Sequence, residues 1–435
     1  MSDSENSHVN PAERRMAKKI WLRIIPLITG VFFFSYLDRV NIGFAAVTMN
    51  RALGFSNAVF GAGAGAFAIG YALFGIPSTL ILHRVGARLW ISCMMIGWGV
   101  CSALTALVTT PMQLYVVRMA LGLCEAGFIP GVIFYFTHWF PNQYRGRALS
   151  SFYSIGPLGL LIGGPASSAL QSLNGAWGLA GWQWLFVVEA LPTVFLAVAI
   201  YVLLVDRPSS AHWLSATEKQ MLGDMLSSEH AGILSSKTAV SPWQGIRNAR
   251  VWALAMVYLC IGTSGIGAVF FLPLMIKSMG FSVRTTGLLA GLPGIAAALA
   301  LPLWGIWRDR SGRGELVVGF ACCAIALGLS GAAVLMPSPW ALLPISVAMM
   351  GFYGSLAAFW TVPSTFLVGA SAAVGIGFIN VVGNLGNFTG PALLGAAADQ
   401  WGKYSTGLWL LAAIAATAVA ILVAGADSRT KRVVL

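Results

Sequence analysis

Leu114-Tyr-Val-Val-Arg118-Met-Ala-Leu-Gly122-Leu-Cys-Glu125-Ala-Gly-Phe-Ile-Pro130-Gly131 is an apolar run with an arginine and a glutamate well inside it. Its length and hydrophobicity predict a helix that crosses a membrane and runs on to Trp139. Arg118 and Glu125 are seven residues apart, so their side chains fall on nearly the same helix face, about two turns apart. Gly122 lies between them on that face and is expected to leave a notch. An ionised side chain at mid-bilayer costs roughly 2.5–3.5 kcal/mol on insertion scales. Two such groups on one face are therefore expected to line a watered cavity and to handle a charged solute or a proton.

The rest of the chain extends this pattern. Of its 435 residues, 57% are hydrophobic and only 9% charged, where soluble domains carry about a quarter charged residues. The apolar runs are long and continuous, not alternating, which predicts helices and excludes a β-barrel. Six runs lie at about 24–47, 59–82, 89–108, 114–139, 148–170 and 184–205. Six more follow at about 251–276, 284–307, 315–336, 340–362, 372–396 and 406–425. The expected fold class is therefore all-α and polytopic, with 12 transmembrane helices in two six-helix bundles at 24–205 and 251–425. Residues 1–23 form a polar tail and a basic, amphipathic lead-in (Ala12–Arg23) expected to lie on the membrane surface. Residues 206–250 read as a charged linker with one helix behind the capping box Ser215-Ala-Thr-Glu218, and residues 426–435 as a basic tail.

The net charge of +12 reflects topology and not a nucleic-acid footprint. Of the 26 Lys and Arg, 20 fall in segments assigned to one side and four (Arg51, Lys277, Arg284 and Lys403) on the other. Arg39 and Arg118 lie inside the membrane. This positive-inside bias predicts a multi-pass protein of the cell's inner (plasma) membrane with both termini in the cytoplasm. The six cysteines sit in apolar runs without metal-type spacing, and the five histidines do not cluster. No metal, no cofactor and no enzymatic acid–base cluster is expected.

The two halves also carry a short repeat. Arg84-Val-Gly86-Ala-Arg88 follows the second run, and Asp309-Arg310-Ser-Gly312-Arg313 follows the eighth, with the Arg and the Gly recurring at an offset of 226. The motif Gly75-Ile-Pro-Ser-Thr-Leu-Ile-Leu-His83-Arg84-Val-Gly86-Ala-Arg88 resembles the signature turn of the major facilitator superfamily, with His83 where that superfamily usually has Asp. Three further motifs resemble the anion:cation symporters within it. They are Tyr36-Leu-Asp38-Arg39-Val-Asn41-Ile-Gly; Arg118-x6-Glu125-Ala-Gly-Phe-x-Pro130-Gly131, leading to His138-Trp-Phe-Pro141; and Asn380-x3-Asn384-Leu-Gly-Asn387-Phe-x-Gly390-Pro391. In the last, Asn387 stands where glycine is more usual.

The resemblance implies a secondary active transporter of the alternating-access type that imports a small organic anion with protons. Tartrate, phthalate, hydroxyphenylacetate, galactonate and hexuronates are the family's kinds of substrate, and a tartrate-like dicarboxylate leads for this chain. By the same resemblance Asp38 and Glu125 would carry protons, Arg39 and Arg118 would hold the substrate carboxylate, and Tyr71 and Asn384 would add polar contacts from the two halves. Arg84, Gly86, Arg88, Asp309 and Arg310 would form the signature gating turns. The implied partners are an organic acid, protons and the lipid bilayer, with no nucleic acid, for a chain acting as a monomer.

The residues themselves add detail. Asp38 and Arg39 are adjacent and so about 100° apart around their helix, which leaves Arg118 as the safer substrate ligand. Asn380, Asn384 and Asn387 fall at i, i+4 and i+7 on one face, a polar stripe in a half with no intramembrane charge. Tyr36, Tyr71 and Trp360 are aromatics able to line the site. Glu189 lies near the start of its run and reads as structural or interfacial. Taken together, Asp38, Glu125, Arg39 and Arg118 sum to zero, so a dicarboxylate would need two protons to restore neutrality. The alternative is a proton-coupled drug or metabolite antiporter of the same fold. Its usual glycine motif is only partly matched by Gly156-Pro157-Leu-Gly159 and Gly163-Gly-Pro165.

Overall fold

A computed structural model describes residues 11–153, 155–235, 247–363, 366–367 and 369–433. The start of the N-terminal tail, part of the linker with Lys237, and the last two residues lie outside the described residues. Regular structure among the described residues is helical, with short 3-10 turns and no strand. The first half contains α1 (Pro11–Leu53), α2 (Asn57–Val85), α3 (Ala87–Thr105), α4 (Pro111–Glu125), α5 (Phe128–Trp139), α6 (Asn142–Tyr153), α7 (Ile155–Gln171) and α8 (Gly181–Leu203). The linker holds α9 (Ala216–Ser235). The second half contains α10 (Ala249–Ser278), α11 (Val283–Ser311), α12 (Gly314–Leu335), α13 (Leu342–Phe359), α14 (Gly369–Asn384), α15 (Gly386–Trp401) and α16 (Tyr404–Val433).

Among the described residues, 10 helical stretches are long and apolar enough to cross a membrane, with α4 and α5 counted as one. The eleventh run read from the sequence is divided into α14 and α15 around Leu385, and in the fifth the residue between α6 and α7 lies outside the described residues.

The lead-in does not lie apart from the first span. α1 is one helix of 43 residues, about 65 Å long at 1.5 Å per residue and so well beyond a hydrocarbon core of about 30 Å. Its projecting turns bury Met16 and Ile20. Glu13 accepts hydrogen bonds from Gln143 (2.6 Å) and Tyr144 (3.0 Å) on α6, and Lys19 donates to Glu218 on α9 (2.6 Å). Apolar burial and these polar contacts hold the segment against α6 and α9.

The repeated turns share one backbone device. Gly86 (φ 90°) and Gly312 (φ 61°) end α2 and α11 in the positive-φ region that other residues adopt only at a cost. Their N–H groups bond Leu82 O and Arg308 O, which are again 226 residues apart. At the first turn, where His83 replaces an acid, the carboxylate comes from elsewhere. Asp206, just beyond α8, accepts the Arg88 backbone N–H at 2.8 Å, where a negative charge suits a helix N-terminus. A Cβ on Gly86 would come within 3.1 Å of that carboxylate. The Arg88 guanidinium bonds Tyr201 O, Asp309 pairs with Arg308, and Arg84 and Arg310 are exposed.

The halves meet where α2 packs on α15, α7 on α11 and α1 on α10. These contacts concentrate at the end that carries the α1–α2 turn. A Cβ on Gly61 would lie 2.2 Å from Pro391 O, so the α2 and α15 backbones touch there. Asp399 caps α2, accepting from Asn57 N (3.0 Å), Asn57 Nδ2 (2.9 Å) and Ala58 N (2.7 Å).

Candidate functional site

The fourth span bends where its glutamate sits. Pro130 has no N–H for the Ala126 carbonyl, and glycine at 127 leaves room for Ser78, whose Oγ would lie 1.9 Å from an added Cβ. The helix therefore breaks between Glu125 and Phe128. Glu125, 2% exposed, accepts from Ser35 Oγ at 2.6 Å and from the Arg39 guanidinium, joining α4 to α1.

Arg118 is 1% exposed. Its guanidinium reaches only main-chain oxygens, Asp38 O at 3.4 Å and Arg39 O at 3.5 Å, and its Nε has no partner. No carboxylate lies within salt-bridge distance of it among the described residues. Both guanidiniums stand over the Phe67 ring, at 4.9 Å for Arg39 and 5.6 Å for Arg118, with Tyr71 at 5.7 Å from Arg39. Such stacking on a ring face holds a cation while leaving its in-plane N–H donors available.

Gly122 does not leave a notch for water. A Cβ there would come within 2.0 Å of Phe67 O, so the space between Arg118 and Glu125 is occupied by the α2 backbone. That close approach is what delivers Phe67 and Tyr71 to the arginines.

Asp38 points elsewhere than Arg39. It accepts from Ser102 on α3 (2.9 Å) and Thr193 on α8 (3.3 Å). Glu189, expected to be structural or interfacial, is only 6% exposed and accepts from Asn41 at 3.0 Å and Ser167 at 3.5 Å. The structure thus gathers Arg39, Arg118, Glu125 and Tyr71 in one place and puts Asp38 with Glu189 in another. Sequence reasoning missed Ser35 and Phe67. The one available signal was spacing, since each lies four residues before a residue already singled out, Arg39 and Tyr71.

In the second half, Asn384 donates to Asn380 Oδ1 (2.7 Å) and Asn387 to Asn384 Oδ1 (2.9 Å), a continuous row of amides across the α14–α15 break. The Tyr36 hydroxyl bonds the Tyr353 hydroxyl, joining α1 to α13 across the halves. Trp360 stands edge-on to Tyr258, 5.0 Å between ring centroids. It borders a cavity of about 1220 Å³ among α11, α12, α13 and α16. That cavity is not the candidate site: its charged groups, Arg308, Asp309, Arg313 and Glu315, are half-buried or exposed and sit by the α11–α12 turn. No group of three His, Cys, Asp or Glu among the described residues could hold a metal ion.

Comparison with known proteins agrees with this architecture. Residues 28–391 match the Major Facilitator Superfamily. A protein of Agrobacterium vitis named as a tartrate transporter is 41% identical over 405 residues, covering 93% of this chain and 90% of that one. A quinolone resistance transporter of Acinetobacter baumannii is 36% identical over 92% of this chain and 93% of that one. Among solved structures, a bacterial homologue of the human lysosomal transporter Spinster, inward-facing and occupied, aligns with a TM-score of 0.75 at 17% identity over 93% of this chain and 96% of that one. The chain belongs to the Major Facilitator Superfamily. It is a multi-pass membrane transporter and not an enzyme.

Proposed function

We propose that the protein imports a small organic anion together with protons, by alternating access, with Arg118 and Arg39 as the carboxylate ligands. The observation that carries this reading is Arg118: a guanidinium 1% exposed, with two long bonds to main-chain oxygens and an unpartnered Nε. A buried cation is costly unless its donors are met, and a carboxylate meets a guanidinium fork in both charge and shape. The relatives named for tartrate point to the same chemistry.

Coupling follows from the pairing of Arg39 with Glu125. While Glu125 is ionised it holds Arg39; a proton on Glu125 releases Arg39 to a substrate oxygen. With Asp38 turned away, Arg39, Arg118 and Glu125 sum to +1, so a monoanion neutralises the pocket unaided. A tartrate-like dianion needs one proton on Glu125, and substrate and proton binding reinforce each other by linkage. If the basic face is cytoplasmic, the contacts between halves close the outer end and leave the site open inward. Tyr71 on one side and the Asn380–Asn384 row on the other would then meet the substrate from the two halves.

The test is reconstitution with counterflow, proton-driven uptake and electrophysiology in the same liposomes. Exchange of tartrate or a related dicarboxylate, with accumulation driven by an inward proton gradient, is the expected result. Proton-gradient-driven quinolone exchange without any organic-acid uptake would favour drug antiport, the reading behind which the quinolone resistance relative stands, and would overturn this one.

A further inference from the structure

Two buried carboxyl groups lie outside the arginine pocket, one on α1 and one on α8, each bonded to a residue of the other helix. Asp38 and Asn41 are three residues apart on α1, and Glu189 and Thr193 are four apart on α8, so each pair shares a helix face. The faces meet in two rungs: Thr193 Oγ1 to Asp38 Oδ2 at 3.3 Å, and Asn41 Nδ2 to Glu189 Oε2 at 3.0 Å. Ser102 and Ser167 complete the shell from α3 and α7. Asp38 is 2% exposed and Glu189 6%. No Lys, Arg or His side chain is bonded to either carboxyl among the described residues. Arg118 and Glu125 reach Asp38 only through their fields, and Asp38 is the charge that acts on Glu189.

A second feature allows for a proton. Asn41 is 1% exposed and lies against Glu189, yet its Oδ1 has no partner. A carboxylate can only accept, so it uses the Asn41 NH2 and leaves that oxygen orphaned. With the amide turned over, a protonated carboxyl can donate to Oδ1 while the NH2 takes the unpartnered position, so Asn41 can bond Glu189 in either protonation state. Two ionised carboxylates in one enclosed space, with no cation bonded to either, are disfavoured, and sharing one proton removes the repulsion.

We propose that Asp38 and Glu189 form a dyad that shares one proton at neutral pH and exchanges it during transport, as a second proton carrier beside Glu125. The first part stands on the geometry alone; the second rests on the proton-symport reading. Thr193 and Asn41 bridge the dyad and are positioning residues. Arg39 faces Glu125 on the other side of α1, so the dyad and the substrate pocket are separate proton sites coupled through the α1 backbone, where Arg118 bonds Asp38 O.

Infrared spectroscopy of the purified protein in lipid at neutral pH, in H2O and in D2O, tests the first part. A protonated carboxyl stretch that shifts in D2O is expected in wild type, changed in Glu189→Gln and absent in the Asp38→Asn/Glu189→Gln double variant. Absence of the band in wild type, or its persistence unchanged in the double variant, overturns the dyad. Should the double variant not fold, the same band compared between wild type and the near-isosteric Glu189→Gln decides between a shared proton and none: an unchanged band overturns the dyad. For transport, Glu189→Gln is expected to keep substrate counterflow, to reduce the accumulation that a pH gradient drives to what the Glu125 proton alone supports, and to gain about one charge per turnover, with Glu189→Asp restoring part of the coupling. Unchanged accumulation and charge movement in Glu189→Gln overturns its role as a carrier. If wild type shows no proton-driven uptake but retains the band, the symport reading fails while the dyad stands.

Discussion

The two halves of this molecule carry the same turn and very different interiors. Gly86 and Gly312 end α2 and α11 with the same N–H bond to the residue four before, as duplication implies. Yet Asp38, Arg39, Arg118, Glu125 and Glu189 are all in the first half. The second half presents uncharged amides and aromatics, with Asn380, Asn384 and Asn387 bonded to one another. Under the alternating access proposed above, such asymmetry is an advantage. Every buried charge has a desolvation cost, so charges confined to one half keep their mutual distances while the halves move, and the other half needs only groups that tolerate both states. Hydrogen-bonding amides meet that need, because losing one neutral bond costs only about 1 kcal/mol.

The largest effect that tests this division is expected at Arg118. Arg118→Ala should weaken organic-acid binding by about 3 kcal/mol, roughly a hundredfold in Kd, by loss of charge-assisted bonds; titration calorimetry with a dicarboxylate measures it. Arg118→Lys should recover little, since an ammonium cannot reproduce the planar fork. Wild-type affinity in both variants would break the assignment of the charged half to substrate. Next, Glu125→Gln frees Arg39 permanently. Counterflow should persist while accumulation driven by a proton gradient disappears.

A smaller change is expected from the polar half. Asn384→Leu should raise Kd about fivefold, the scale of one neutral hydrogen bond; a loss as large as that of Arg118→Ala would show that the two halves share the substrate equally. Asp399→Ala removes three hydrogen bonds to the start of α2 and should shift the halves toward separation at that end by about 1–2 kcal/mol. Spin labels on Arg51→Cys and Lys403→Cys, both exposed there, would report a longer distance population.

The smallest effect concerns the lead-in. The Lys19 hydrogen bond, followed by the Ser215 backbone N–H, holds the Glu218 carboxyl below the usual carboxylate range. A depressed carboxylate contributes stability above its unfolded pKa of about 4.3 and loses it as pH falls through the lower folded value. Lys19 is exposed and gives up side-chain freedom to hold the pair, so the pair is weak. Lys19→Ala should hardly move the thermal midpoint at neutral pH and not at all in strong acid. Met16→Ser should destabilise at both, because apolar burial is independent of pH.

Some of this was legible residue by residue. Arg118 and Glu125 stood out because a charge inside an apolar run is costly, and the near-100° step between Asp38 and Arg39 already implied that they part. The glycine repeat was legible because a positive-φ turn restricts the residue allowed there. Ser35 and Phe67 were not, since serine and phenylalanine are ordinary in membrane helices and gain meaning only from what they touch. Gly122 was misjudged for a related reason: periodicity gives the face of a helix but not whether water or another helix covers it. Glu189 read as structural or interfacial from its position in the run, and only packing against α1 and α7 showed it enclosed.

By itself the sequence determined the class of the protein, its helices and the presence of costly charges, because these depend on local composition and on the solvation energy of single groups. The tertiary structure decided which charge faces which. Arg39 holds Glu125, Arg118 keeps unused donors, and Asp38 turns to Glu189, because direction and company depend on helices brought together from distant parts of the chain.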